Sequence, residues 1–290
     1  MANLGYPLAD MRAAAHTITL VLLGHGSTKN DGSAQPVFQH AVELRRRGLF
    51  ADVREAFWKQ EPKVAAVLGT IRTAQVVIVP LFISEGYFTE EAIPEALGFK
   101  QAGEANWSRV LKRDEQTLTY TRPVGSHPRM TEVLLHRAAE VVGRYPFPRQ
   151  PKPAETSLFI AGHGTERNAQ SRLAIEQQVE LIRALKRFTE VQPCFMEEAP
   201  QIADIPTIAI ARHVVVVPFF ISDGLHVTED IPVLLGEPEA VVRKRLTAGL
   251  PTWRNPTEKH GKLIWYAPAV GSDPGIAEVI LELADARERE

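Results

Sequence analysis

The sequence predicts an α/β protein built from two tandem, similar α/β/α domains, each holding a small parallel sheet between helices. Three observations predict it: an internal repeat of long period, short β-branched runs alternating with helical patterns, and a proline-rich stretch between the copies. Leu22-Leu23-Gly24-His25-Gly26-Ser27 returns 138 residues later as Ile160-Ala161-Gly162-His163-Gly164-Thr165. The same offset links Phe57 to Phe195, Pro62 to Pro200, Pro80 to Pro218, Gly86 to Gly224 and Gly98 to Gly236. Beyond Gly236 the offset becomes 146, pairing Trp107 with Trp253, Tyr120 with Tyr266, and Gly125-Ser126 with Gly271-Ser272. The extra residues of the second copy are expected to extend a helix around Glu239 to Arg245. Between the copies, Pro146, Pro148, Pro151 and Pro153 remove amide donors and bar a continuous helix. The domains are therefore set at 1–145 and 155–290.

In the first copy the apolar run Thr17 to Leu23 reads as a strand, followed by a helix over Gln35 to Arg47. Strands are then expected at Val53 to Phe57, Val76 to Phe82 and Thr117 to Thr121, and the second copy reads likewise. Val214 to Val217 is an unbroken apolar run, which suits a strand covered on both faces of a parallel sheet. Ile175, Val179, Ile182 and Leu185 recur at helical spacing and are expected to line one face. Gly24, Gly26, Gly86 and Gly224 are expected as turn glycines with unusual backbone angles.

Composition narrows the function. The chain has 290 residues, 44% hydrophobic and 23% charged, enough apolar material for one or two cores. A net charge of -2 gives no nucleic-acid surface. The single cysteine, Cys194, excludes an internal disulfide framework and an all-cysteine metal site within one chain. Metal chemistry would thus use nitrogen and oxygen ligands. No stretch approaches the roughly 20 apolar residues of a membrane span, and a cytoplasmic protein is expected.

Ligands of open parallel sheets bind beyond the carboxyl ends of the strands. His163 follows the first strand of the second copy, and His226 follows the third, in Pro218-Phe219-Phe220-Ile221-Ser222-Asp223-Gly224-Leu225-His226. A neutral imidazole ligates late first-row divalent metals and, with an ordinary pKa of about 6.5, can also accept a proton. Glu197 and Asp230 are carboxylates that could complete a site or receive protons, or else cap helices at the surface. A lone histidine between glycines can equally bond a backbone group; a pair at neighbouring strand ends favours a site. His16, His40, His127, His136, His213 and His260 lie outside the matched motifs and read as surface or packing residues.

The motifs Gly-His-Gly-Ser/Thr after strand one, Phe-x-Glu after strand two and Pro-x-Phe-Ile-Ser-x-Gly-x-His-x-x-x-Asp-Ile-Pro after strand three resemble the sirohydrochlorin cobaltochelatase family of class II chelatases, along nearly the whole chain and twice over. The resemblance implies an open-faced tetrapyrrole held between two similar domains. It further implies ATP-independent insertion of Co²⁺, Fe²⁺ or Ni²⁺ by a lyase of cobalamin or siroheme biosynthesis, with no cofactor beyond the substrate metal. By the same resemblance His163 and His226 bind the metal, and Glu197 stands at the acidic position with a catalytic role. His25, Ser27, Thr165, Arg167, Ser222 and Gly224 are assigned to substrate, and Lys29, Arg122, Arg167 and Arg172 are candidates to pair with its peripheral carboxylates. The first copy departs from the pattern: Phe88 replaces the second histidine, Lys59 the glutamate and Ala92 the aspartate. The first half is therefore expected to be structural and to lend a wall to the substrate. A homodimer is compatible with this reading, with no nucleic-acid or membrane partner.

Two other functions fit less well. His163-Gly164-Thr165-Glu166-Arg167-Asn168 looks superficially like the phosphohistidine signature of the histidine phosphatases, but Gly162 stands where that signature needs an arginine. A tetrapyrrole or metal carrier that has lost turnover is the non-enzymatic alternative, against which the intact histidine pair argues.

Overall fold

The structure, a computed structural model, describes residues 17–27, 31–164 and 169–286. It divides into two compact units: the first comprises the described residues up to His127 together with those from Ala277 onward, the second Pro128–Ile276.

Unit 1 is organised on a five-stranded sheet of β1 (Ile18–Gly24), β2 (Asp52–Phe57), β3 (Gln75–Pro80), β4 (Val110–Arg113) and β5 (Gln116–Tyr120), in the order β2-β1-β3-β5-β4. Unit 2 repeats this arrangement as β7-β6-β8-β10-β9, with β6 (Thr156–Gly162), β7 (Glu190–Phe195), β8 (His213–Pro218), β9 (Thr257–Lys259) and β10 (Lys262–Tyr266). The expected helix Gln35–Arg47 forms, closed by Gly48 in the left-handed region at φ 64°. The inserted helix of the second copy runs over Glu239–Thr247.

The expected parallel strands form in both sheets, and each sheet adds one antiparallel strand at its edge. Four strands in each are parallel, while the edge strands β4 and β9 run antiparallel to β5 and β10. The tight turns before β5 and β10 place Asp114 (φ 52°), His260 (φ 48°) and Gly261 (φ 77°) in the left-handed region. Val-Leu-Lys-Arg, largely exposed, and Thr-Glu-Lys, partly so, are short and charged, as suits edge strands and conceals them from a hydrophobicity pattern.

The core follows the predicted faces. Val214, Val215, Val216 and Val217 are at most 1% exposed. Ile175, Val179 and Ile182 are buried, whereas Leu185 lies just past the helix Ala169–Ala184 and is 42% exposed. Of the four turn glycines only Gly26 is left-handed, at φ 70°; Gly24, Gly86 and Gly224 stay out of that region. Gly24 is instead required by space, since a Cβ there would lie 2.8 Å from Val37 Cγ2.

The compact units do not follow the expected division at 1–145 and 155–290. Helix Met130–Arg144 buries Met130, Val133, Leu134, Ala138, Val141 and Val142 and packs on β8 and β10 of unit 2. There the buried Arg137 donates to the Ala269 carbonyl (3.2 Å) and to Ser272 Oγ (2.8 Å), and the Trp265 indole donates to the Tyr145 carbonyl (2.9 Å). Helix Ile276–Ala286 joins unit 1 through all but its first residue, with Glu278 bonded to Arg47 (2.6 Å) and Glu282 3.5 Å from His127. Amphipathic helices are placed by the apolar surface they cover, and chain order does not constrain which sheet that is.

Among the described residues no helix is long and apolar enough to cross a membrane.

Candidate active site

The site in unit 2 is built where three parallel strands end. Chain leaving β6 is tied to chain leaving β7: the Met196 amide donates to the Gly162 and His163 carbonyls (3.1 and 3.0 Å), and the Glu197 amide to the His163 carbonyl (3.2 Å). The next strand joins through the Phe219 amide on the Ala161 carbonyl (2.7 Å). Gly162 has no room for a side chain, because a Cβ would stand 2.0 Å from Ile175 Cδ1. Gly164 turns the chain away in the left-handed region, at φ 63°. These bonds make Glu197 a neighbour of His163, its Oε1 3.9 Å from His163 Nδ1.

His226 arrives by a different device. The loop after β8 is pinned on both sides: the Gly271 amide donates to the Phe220 carbonyl (3.0 Å), while Asp223 accepts from the Ala269 amide (2.7 Å) and Ser272 Oγ (3.1 Å). The Gly224 carbonyl then accepts from the Val227 and Thr228 amides and from Thr228 Oγ1. It thereby starts a π-helical turn over His226–Asp230, a local widening often found at functional sites. Val227 is buried by this turn and His226 is left exposed.

The His163 and His226 rings stand 5.0 Å apart, centroid to centroid, and perpendicular at 88°. Each has a carboxylate. His226 Nδ1 lies 2.6 Å from Asp230 Oδ2, one helical turn on, which fixes the ring and leaves Nε2 as the lone-pair donor. His163 Nδ1 is buried without a hydrogen-bond partner, a condition that costs about 1–3 kcal/mol. Phe220 forms a wall, its ring 6.4 Å from that of His226.

The structure thus brings His163, His226 and Glu197 together and sets Ser222 and Gly224 on the loop that carries His226. Asp230 is the residue the sequence left undecided between site and helix end; its i, i+4 spacing from His226 is the signal that identifies the pair. His25 and Ser27 belong to the equivalent place in unit 1, where Ser27 N–H donates to Gln60 Oε1 (2.8 Å). Thr165, Arg167 and Lys29 lie outside the described residues. The other two basic candidates already have carboxylate partners: Arg122 bonds Glu85 (2.9 Å), and Arg172 bonds Glu176 (2.8 Å) and Glu198 (2.7 Å) while lying over the Phe195 ring. These bonds compete with any role toward substrate.

A second group of metal-ligand types, His136, Glu140 and Asp273, brings one ligand atom from each within 4.8 Å of the others. Arg137 already serves it, donating to Glu140 (2.6 Å) and approaching Asp273 (3.4 Å). Asp273 also accepts from the Gly275 amide (2.8 Å) and bonds His136 Nδ1 (2.7 Å), so the group reads as a satisfied ionic network.

Comparison with known proteins places these features in context. The model of the CbiX family matches the chain twice, over 19–141 and 157–286. A Halobacterium salinarum protein named as a probable sirohydrochlorin cobaltochelatase is 42% identical over 275 residues, covering 91% of this chain and 90% of the relative. Among solved structures, DR2241 from Deinococcus radiodurans, described as a multi-domain protein structurally similar to chelatases, superposes with a TM-score of 0.73 at 29% identity over 93% of this chain. This chain spans 55% of that protein's length. SirB from Bacillus subtilis, solved with Fe³⁺, shares the fold at a TM-score of 0.65 and 15% identity, over 93% of this chain and 95% of SirB.

Proposed function

The chain belongs to the CbiX family, and on that premise we propose that it is a sirohydrochlorin chelatase, a lyase that inserts a divalent metal, Co²⁺ before Fe²⁺ or Ni²⁺, into the tetrapyrrole without ATP. The observation that carries the reading is the perpendicular His163 and His226 pair, 5.0 Å apart, each with a carboxylate beside it. Imidazole nitrogens on one ion sit at about 2.0–2.1 Å from it, which caps their mutual distance at about 4 Å. Ring centres at 5.0 Å are compatible with that limit.

Insertion needs three things: the ion must lose water, two pyrrole N–H groups must lose protons, and the metal must be held while both happen. In the proposed mechanism His226 offers Nε2 to the ion, its ring held in place by Asp230. His163 is the second ligand, and coordination or a short approach of Glu197 relieves its buried nitrogen. Glu197 is exposed and close enough to take the pyrrole protons and pass them to solvent. The metal is substrate here, so the ligands must release it as well as bind it, and two imidazoles on an open surface suit that better than a closed four-ligand cage.

Removing the orienting carboxylate should weaken the ion more than the fold. Asp230→Asn is expected to raise the Kd for Co²⁺ about 10- to 100-fold in calorimetric titration, with the melting temperature nearly unchanged. A rise below twofold would remove Asp230 from the mechanism.

The reading as a whole is tested by a steady-state assay of the purified protein with sirohydrochlorin and each of Co²⁺, Fe²⁺ and Ni²⁺. Insertion above the non-enzymatic rate, fastest with Co²⁺, is the expected result. A shift in pigment absorption with no acceleration would instead identify a carrier.

A further inference from the structure

Between the two copies, three side chains near the turn after the first strand change together, and each change adds a charge to unit 2. At the offset of 138, Ala34, Phe38 and Gln60 of the first copy stand where the second has Arg172, Glu176 and Glu198. The frame around them is unchanged, since Arg45 and Arg183, also 138 apart, donate to the matching Val53 and Val191 carbonyls (3.0 and 2.7 Å). In unit 1 the Phe38 ring packs on that of Phe57, 5.5 Å between centres. In unit 2 a guanidinium takes that role, Arg172 lying 4.9 Å from the Phe195 ring centre. Arg172 donates to Glu176 Oε1 (2.8 Å) and to Glu198 Oε2 (2.7 Å), which fixes the Glu198 carboxylate.

That carboxylate lies against the turn that carries His163. A Cβ on Gly164 would stand 2.9 Å from Glu198 Oε1 and 2.5 Å from Phe195 Cβ, so this left-handed glycine rests on both side chains. Unit 1 makes the same contact with a neutral residue, for a Cβ on Gly26 would stand 2.6 Å from Gln60 Cγ. There Gln60 Oε1 accepts the amide of Ser27 (2.8 Å), the residue after the glycine. Glu198 Oε1 is buried and has no hydrogen-bond partner among the described residues. An acceptor is thus placed against each Gly-His-Gly turn. Of the two copies, the one with the histidine pair supplies it as a carboxylate locked by an arginine.

We propose that Glu198, oriented by Arg172, is a positioning residue for His163: its carboxylate anchors the Gly162–Gly164 turn and so fixes the imidazole that takes the metal. The inference rests on the chelatase reading and adds to it a residue that acts through the turn rather than on the ion. The His163 ring needs support from its backbone, because its Nδ1 has no hydrogen bond to hold it, whereas Asp230 holds the ring of His226. A charged acceptor grips a turn more firmly than an amide oxygen, and Arg172 offsets the cost of burying it.

The test titrates Co²⁺ into the full-length protein without pigment and follows both the visible absorption of the bound ion, which reports its ligand geometry, and the melting temperature. Glu198→Ala is expected to raise the Kd for Co²⁺ about tenfold and to alter the absorption bands. Glu198→Gln keeps an acceptor oxygen, as Gln60 does in unit 1, and should stay within about threefold of wild type with wild-type bands. Arg172→Met should weaken Co²⁺ binding by itself and add little to Glu198→Ala, as expected for two residues acting as one device. Gln60→Ala removes the matching support from unit 1 and should leave Co²⁺ affinity and bands as in wild type, whatever it does to the melting temperature. If Glu198→Ala binds Co²⁺ within twofold of wild type, or if Glu198→Gln loses as much affinity as Glu198→Ala, the positioning role is overturned and the function stands. If the wild-type protein binds none of Co²⁺, Fe²⁺ and Ni²⁺, the chelatase reading and this inference fall together.

Discussion

His163→Ala and His226→Ala should each bring cobalt insertion close to the non-enzymatic rate, a fall of at least about a hundredfold. The two rings are the nitrogen donors that meet at the strand ends of unit 2, and either one alone leaves an ion with a single imidazole on an exposed surface. Metal titration separates ligand loss from misfolding, because each variant should lose Co²⁺ affinity while keeping its melting temperature within a few degrees. The double variant should be little worse than either single one, as expected for groups that act together on one ion. His25→Ala should cost far less, since Phe88 gives its neighbourhood no second ligand. If His25→Ala abolished insertion and His163→Ala spared it, the roles of the two halves would be reversed.

The second large effect lies away from the ligands. A Cβ on Gly271 would stand 1.9 Å from the Ile221 carbonyl oxygen and 2.4 Å from its carbonyl carbon, all backbone atoms that cannot swing aside. Gly271→Ala must therefore push the Phe220–Gly224 loop off its anchor, at an expected cost of about 3 kcal/mol or more and a Tm lower by roughly 5–10 °C. That loop carries the π-helical turn of His226, so metal affinity should fall with it. Unit 1 supplies the control, for a Cβ on Gly125 would stand 1.9 Å from the Ile83 carbonyl oxygen. Gly125→Ala should lose similar stability and leave Co²⁺ affinity nearly intact. Calorimetry of both variants checks the pair; equal losses of metal affinity, or a Tm within 2 °C of wild type for Gly271→Ala, would refute the argument.

The paired glycines show how far the sequence could be read. Their match at one offset was visible, and so was the matching of Gly-His-Gly with the histidine after the third strand. What made each glycine necessary was not visible, because the obstructing Ile221 and Ile83 carbonyls come from a different part of the chain. The edge strands β4 and β9 escaped for another reason: short and rich in charge, they carry no hydrophobic period to detect.

The residue types at each strand end, and their loss from the first copy, were determined by the sequence alone, since motif and offset are properties of the linear chain. The double-sided burial of Val214 to Val217 and the buried face of helix Ala169–Ala184 were legible too, because an unbroken apolar run and a period of 3.6 record burial locally. Tertiary structure alone decided that the two rings stand perpendicular and that helix Met130–Arg144 covers the sheet of unit 2. Each of these depends on which apolar surfaces close against each other across long stretches of chain, and residue spacing carries no record of that choice.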